Sequence, residues 1–173
     1  MYVGQIITAD SANGPGIRVS VFVSGCTNKC SGCFQPQTWD FDYGHPYTRR
    51  VENYILDEVS KPYYAGLTLL GGEPLEPQNQ EMVLHLIRNF KKLCPDKNIW
   101  LYTGFTYENE VQPDGAKYTE YTDEILDSID VMVDGKFEAD KKDLMLKFRG
   151  SSNQRIIDMR ATRKNNEVVL LEI

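Results

Sequence analysis

Cys26, Cys30 and Cys33 stand in the run Gly25-Cys-Thr-Asn-Lys-Cys-Ser-Gly-Cys-Phe34, with three and then two residues between successive cysteines. This spacing gathers three thiols in one short loop. Thiolates are the ligands of iron–sulfur clusters, which are normally held by four of them. A loop that offers three leaves one iron of a cubane cluster to a ligand that is not protein, and an open metal position is where a substrate binds. The competing chemistry is a closed zinc site, completed by a fourth protein ligand. Cys94, His45 and His85 are the available fourth ligands, and none forms the second close pair that zinc sites usually have. Structural zinc and an electron-transfer module stand as the non-enzymatic alternatives. Cys94 ends an apolar helix pattern and reads as a small buried hydrophobe.

The elements that position this loop alternate between strand and helix, the pattern of an α/β fold built on a parallel sheet. Ile17–Val23 is rich in β-branched residues and runs directly into the cysteines. Arg49–Val59 carries Val51, Ile55 and Val59 at helical spacing. Leu67–Leu70 is a buried strand closed by Gly71-Gly72, and the helix from about Asn79 to Leu93 ends before Pro95. Ile99–Thr103 and Val131–Val133 are further strands, separated by a turn-rich stretch around Pro113-Asp-Gly115 and a short acidic helix over Thr122–Ile129. Each strand ends in a glycine-containing loop. In parallel sheets, ligands sit at the carboxyl ends of the strands. The cysteine loop, Gly71-Gly-Glu-Pro74, Thr103-Gly104 and Asp134-Gly-Lys136 are therefore expected on one rim. Arg160–Asn166 reads as a linker and Glu167–Ile173 as an edge strand.

The length of 173 residues fits one domain with a real core, and the net charge of −6 argues against a nucleic-acid surface, which needs basic patches. The local cluster Lys141, Lys142, Lys147 and Arg149 reads as a solvated face. The N-terminus has no basic region followed by an apolar core, so a cytoplasmic location is expected. No apolar run approaches the roughly 20 residues that cross a bilayer. In a reducing compartment, clustered cysteines are expected to be metal ligands rather than disulfides. His45 and His85 are assigned no role.

With the cysteine loop and the strand-end glycines in hand, the chain resembles the radical S-adenosylmethionine enzymes. The Cys-x3-Cys-x2-Cys loop matches that superfamily's hallmark, and Gly71-Gly-Glu-Pro74 matches its loop for the amino group of S-adenosylmethionine. Within it, the chain looks most like the small activators of glycyl-radical proteins, foremost those serving anaerobic ribonucleotide reductase. Asn13-Gly-Pro-Gly-Ile-Arg18, Thr38-Trp39, Trp100-Leu-Tyr-Thr-Gly104, Val133-Asp-Gly-Lys-Phe137 and Arg149-Gly-Ser-Ser-Asn-Gln154 carry the likeness further. It covers roughly residues 1–158 as one domain, leaving 159–173 as an extension. Phe34-Gln35 replaces the Tyr-Asn often found after the third cysteine, and Glu73 stands where aspartate is common.

The resemblance implies a partial (β/α) barrel with a curved, mainly parallel sheet. It also implies a [4Fe-4S] cluster held by Cys26, Cys30 and Cys33, with S-adenosylmethionine on the open iron. Gly32, Cys33 and Phe34 are expected near the adenine, and Gly71, Gly72 and Glu73 at the methionine moiety, with Glu73 either meeting the ammonium or bracing its loop. Thr103, Asp134 and Lys136 are expected at the ribose and carboxylate. The implied activity is reductive cleavage to a 5′-deoxyadenosyl radical that makes a glycyl radical on a partner protein, with a flavodoxin-like donor. Anaerobic ribonucleotide reductase is the foremost partner, and pyruvate formate-lyase or another glycyl-radical enzyme the rival.

Overall fold

Side chains on a strand alternate between its two faces, and here the alternation divides the molecule. In the computed structural model, which describes residues Met1–Ile173, Val19, Val21 and Val23 of β2 (Arg18–Val23) point one way. Leu67 and Leu69 of β4 (Gly66–Gly71), Ile99 and Leu101 of β5 (Asn98–Tyr102) and Met132 of β6 (Val131–Asp134) point with them. All join one core with Ile55 and Val59 of α1 (Arg49–Val59), Val83 to Phe90 of α2 (Pro77–Leu93), Ile125 of α3 (Thr122–Ser128) and Met159 of α4 (Met159–Asn165). The helices thus cover a single face of the sheet.

The sheet order is β3-β1-β2-β4-β5-β6-β7, with β1 at Tyr2–Asp10, β3 at His45–Pro46 and β7 at Arg155–Asp158. β2, β4, β5 and β6 run parallel in chain order. Both flanks are antiparallel: β1 pairs with β2 and β3, and β7 with β6. The fold is therefore α/β with a mixed central sheet that is parallel at its centre, open and uncurled. The flanks turn back on the parallel series, so neither edge offers a strand on which the winding could continue to closure.

The remaining face is polar as well as apolar. Trp100, Val131, Val133 and Ile156 form a small second cluster there. Beside it lies Arg18, fully buried, whose guanidinium donates to Thr68 Oγ1 at 2.7 Å and to the Leu67 carbonyl at 2.9 Å and sits 5.8 Å over the Trp100 ring. Thr68 Oγ1 in turn donates to the Asn13 carbonyl at 2.8 Å, tying the Asn13–Arg18 segment across the sheet. Burial lowers the Arg18 pKa to about 10, which leaves it charged at neutral pH.

The expected helices and parallel strands are present, within two residues at their ends. β1 and β7 carried no expectation. Arg160–Asn166, expected as a linker, falls almost wholly within α4, whose N-cap Asp158 accepts from the Ala161 amide at 3.0 Å. Glu167–Ile173, expected as an edge strand, forms no strand and meets β7 at an isolated Ile157–Leu170 bridge. No helix is long and apolar enough to cross a membrane.

Arg18→Met removes donors that satisfy two acceptors on β4. It is expected to lower unfolding stability by about 2–4 kcal/mol, read as a shift of the urea midpoint with an unchanged slope.

Candidate metal centre

Because β2, β4, β5 and β6 are parallel neighbours, the loops that follow them open on one edge of the sheet. They surround a cavity of about 470 Å³ lined by Cys26, Cys30 and Cys33, by Gly71 and Gly72, by Thr103 and Gly104, and by Gly135. Phe22, Leu70 and Tyr102 line it from the sheet, while Phe34, Phe137 and Phe148 add aromatic wall. The convergence expected from strand polarity is present.

All three cysteines are free thiols. Burial, reinforced by the charge of Glu73, pushes the Cys26 thiol up to about 11, and burial also raises Cys30. A bound cation would reverse that preference, because metal ligation expels the thiol protons. No three His, Cys, Asp or Glu side chains converge on a point as the ligands of a single ion do. Cys94 lies in the core at the end of α2, His85 of α2 meets Glu52 of α1 at 2.7 Å, and His45 lies on exposed β3. None of them lines the cavity. Three thiols on one cavity wall, with neither a fourth cysteine nor a histidine beside them, have the soft-donor chemistry that an iron–sulfur cluster takes.

The cysteine loop is held by backbone and by two buried carboxylates. Gly25 N donates to the Thr38 carbonyl at 2.7 Å, and Glu73 N to the Gly25 carbonyl at 2.9 Å. Glu73 is fully buried, and its carboxylate accepts from Leu75 N (3.0 Å), Thr103 Oγ1 (2.7 Å), Gly104 N (2.7 Å) and Asn28 Nδ2 (3.3 Å). One side chain thus joins the loops after β2, β4 and β5. Of the two tasks open to Glu73, bracing is the one these bonds perform. Burial pushes its carboxyl up to about 7 against the pull of those donors. Glu76, also buried, accepts from Thr27 N at 2.8 Å and Thr27 Oγ1 at 2.5 Å and meets Lys117 at 3.2 Å. Asn79 Nδ2 donates to the Ser24 and Glu73 carbonyls. Sequence reasoning missed Glu76, Asn28 and Asn79; Pro77 at a helix start, with polar residues on both sides, was the available signal.

The glycines have a packing reason of their own. A Cβ on Gly71, whose φ is +113°, would come within 2.6 Å of the β2 backbone, and one on Gly72 within 2.8 Å of the Gly25 and Thr38 carbonyls. Close approach of the two loops, and not only of a ligand, requires glycine here.

Other expected residues divide. Cys33, Phe34 and Thr103 line the cavity, whereas Gly32 lies in an exposed turn outside its wall. The Phe34 ring, 60% exposed, packs 5.1 Å from Phe137. Asp134 is turned away: it accepts from Arg155 Nε at 2.9 Å and Nη2 at 2.5 Å and from Tyr107 N at 2.9 Å. Lys136 is exposed and off the cavity wall, so of that triplet Gly135 alone reaches it. The physical reason is local: Arg155 on neighbouring β7 supplies the buried Asp134 with a bidentate partner.

The family model for a 4Fe-4S single cluster domain matches residues 12–157. The chain is 41% identical over 152 residues to the anaerobic ribonucleoside-triphosphate reductase-activating protein of Vibrio cholerae, covering 87% of this chain and 93% of that one. The protein of that name from Pasteurella multocida is 42% identical over 152 residues (87% and 92%), and that from Escherichia coli 38% over 158 (90% and 97%). The chain belongs to the family of anaerobic ribonucleoside-triphosphate reductase-activating proteins, whose iron–sulfur domain it carries.

Glu73→Gln turns an amide N–H₂ toward donors and is expected to cost about 1–3 kcal/mol. In the native protein the Glu73 carboxyl titrates above its unfolded value, so the folded state holds that proton more tightly. The stability it contributes is full below the ordinary carboxyl range and drains away as pH rises toward and past about 7. Denaturant midpoints between pH 5 and 8 are expected to show this decline in the native protein and a shallower one in the glutamine variant.

Proposed function

We propose that the chain activates anaerobic ribonucleoside-triphosphate reductase by installing a glycyl radical on it, with Cys26, Cys30 and Cys33 holding a [4Fe-4S] cluster whose open iron takes S-adenosylmethionine. The observation that carries this reading is the donor set: three thiols on the cavity wall with neither a fourth cysteine nor a histidine beside them. The cluster would supply one electron, taken from a flavodoxin-like donor, that splits S-adenosylmethionine into methionine and a 5′-deoxyadenosyl radical, which takes a hydrogen atom from the partner's glycine and leaves as 5′-deoxyadenosine.

The chain's own residues do the rest, since the hard chemistry belongs to the cofactors. Gly71 and Gly72 offer backbone groups at the cavity wall for the methionine moiety, kept in register with the cysteines by Glu73, to which the Thr103 hydroxyl donates. Phe34, beside Cys33, offers an apolar face for the adenine, with Phe137 behind it. Asp134, expected at the ribose and carboxylate, serves through position instead, fixing the β6 loop so that Gly135 reaches the wall, and Lys136, exposed off that wall, is given no part. Phe22, Leu70 and Phe148 keep the floor dry, which protects a reactive radical from water. The fold reading extends likewise. Strands in chain order with helices on one face are wound as in a (β/α) barrel, which supports reading the open sheet as a partial barrel.

Anaerobically reconstituted protein, reduced and mixed with S-adenosylmethionine and the reductase, is expected to give a glycyl-radical doublet by electron paramagnetic resonance, with methionine and 5′-deoxyadenosine released. Brown, reduced protein that yields neither product contradicts the reading. Cys30→Ala is expected to abolish both cluster and radical, while Cys94→Ala keeps the cluster and loses about 1–2 kcal/mol of stability.

A further inference from the structure

The loop between Lys142 and Ser151 is pinned shut at its base and exposed at its tip. Lys142 and Ser151 form an antiparallel bridge, and Ser152 N donates to the Lys141 carbonyl at 2.9 Å. Gln154 clasps it to the sheet: its Oε1 accepts from Gly150 N at 2.9 Å and Ser151 N at 3.1 Å, while its Nε2 donates to the Gly135 carbonyl at 3.0 Å. Phe148 holds φ at +57°, a strained conformation for a bulky residue, with its ring edge-on to Trp100 at 5.4 Å and its carbonyl accepting from Tyr102 Oη at 2.8 Å. A loop so anchored nevertheless presents Leu144 and Met145 at 85% and 88% exposure.

This hairpin is a wall with two sides. Its inner side closes the metal cavity; its outer side bounds a groove of about 540 Å³ that runs toward Ile156 and Leu170. Leu146, Arg149 and Gln154 line both. In a chain of net charge −6 the groove carries Lys147, Arg149 and Arg155 and no aspartate or glutamate side chain. Arg155 is already matched by Asp134 and Glu108, but Lys147 and Arg149 make no ion pair. Leu170, 58% exposed, adds an apolar edge opposite Met145.

We propose that this groove and the Leu144–Met145 tip seat the segment of the partner that delivers its glycine, a segment bearing acidic and apolar side chains. The inference rests on the function proposed above and adds the docking surface and the chemistry it recognises. Charge complementarity selects the occupant, because unpaired cations on an acidic protein favour an anionic partner and disfavour a second copy of this chain. Continuity with the cavity selects the segment, because chain lying in the groove reaches the metal site by crossing the one hairpin that both share. A rigid base and an exposed apolar tip also suit an anchor that loses little freedom on binding.

The test compares native protein with Leu144→Ser/Met145→Ser and with Lys147→Glu, each cluster-loaded, and uses Tyr63→Ser, at an exposed position elsewhere, as control. Binding to the reductase is measured directly, alongside the KM for the reductase and the partner-free release of 5′-deoxyadenosine. Both test variants are expected to weaken binding and raise KM by about tenfold or more, with partner-free cleavage unchanged; the binding of native protein, but less that of Lys147→Glu, should fall with salt. Unchanged binding and KM in both variants overturns the proposal, as does a loss confined to self-association in sedimentation. If native protein binds the reductase and the variants do not, yet no radical forms, the groove stands and the proposed activity falls.

Discussion

One buried carboxylate holds the rim together. Glu73 sits at the junction of three loops and takes a hydrogen bond from each of them, two through backbone amides and two through side chains. A neutral side chain of that size could not accept from all four donors at once. The arrangement has a cost, visible in the upward pressure that burial exerts on the carboxyl, and its charge makes the neighbouring Cys26 thiol harder to ionise. Positive charge in the cavity would favour both the buried carboxylate and the Cys26 thiolate.

The same logic explains the one-sided sheet. Helices on a single face bury the aliphatic half of every central strand, which leaves the opposite half free to be shaped by function. That half carries a buried guanidinium, a Ser20–Asp10 hydrogen bond and a floor of large side chains, a mixture that a closed apolar core would not tolerate unpaired. The antiparallel flanks support the structure without entering the site, and the hairpin before β7 turns one flank into part of its rim.

Periodicity made the parallel strands and α1 to α3 legible, because each is long enough or apolar enough to impose its repeat. β1 was hidden by bulges: its register with β2 shifts twice, and Ala9 adopts φ of +55°, so alternation is broken. β7 and α4 are too short to announce themselves and are fixed by pairing and by an aspartate cap. At the site, the cysteines and glycines were legible because few residue types can do their work. Glu73 and Asp134 were harder. A polar side chain at a strand end looks the same in sequence whether it faces a ligand or a neighbouring loop, and only the positions of Thr103, Gly104 and Arg155 decide which.

The central claim is that three cysteines hold a cluster with one iron left open to a small-molecule ligand. Mössbauer spectroscopy of protein reconstituted with iron-57 tests it directly. On adding S-adenosylmethionine, the account predicts that a single iron of the cluster changes its isomer shift and quadrupole splitting while the others keep theirs. A spectrum in which every iron is unchanged, as when four protein ligands close the cluster, would contradict it.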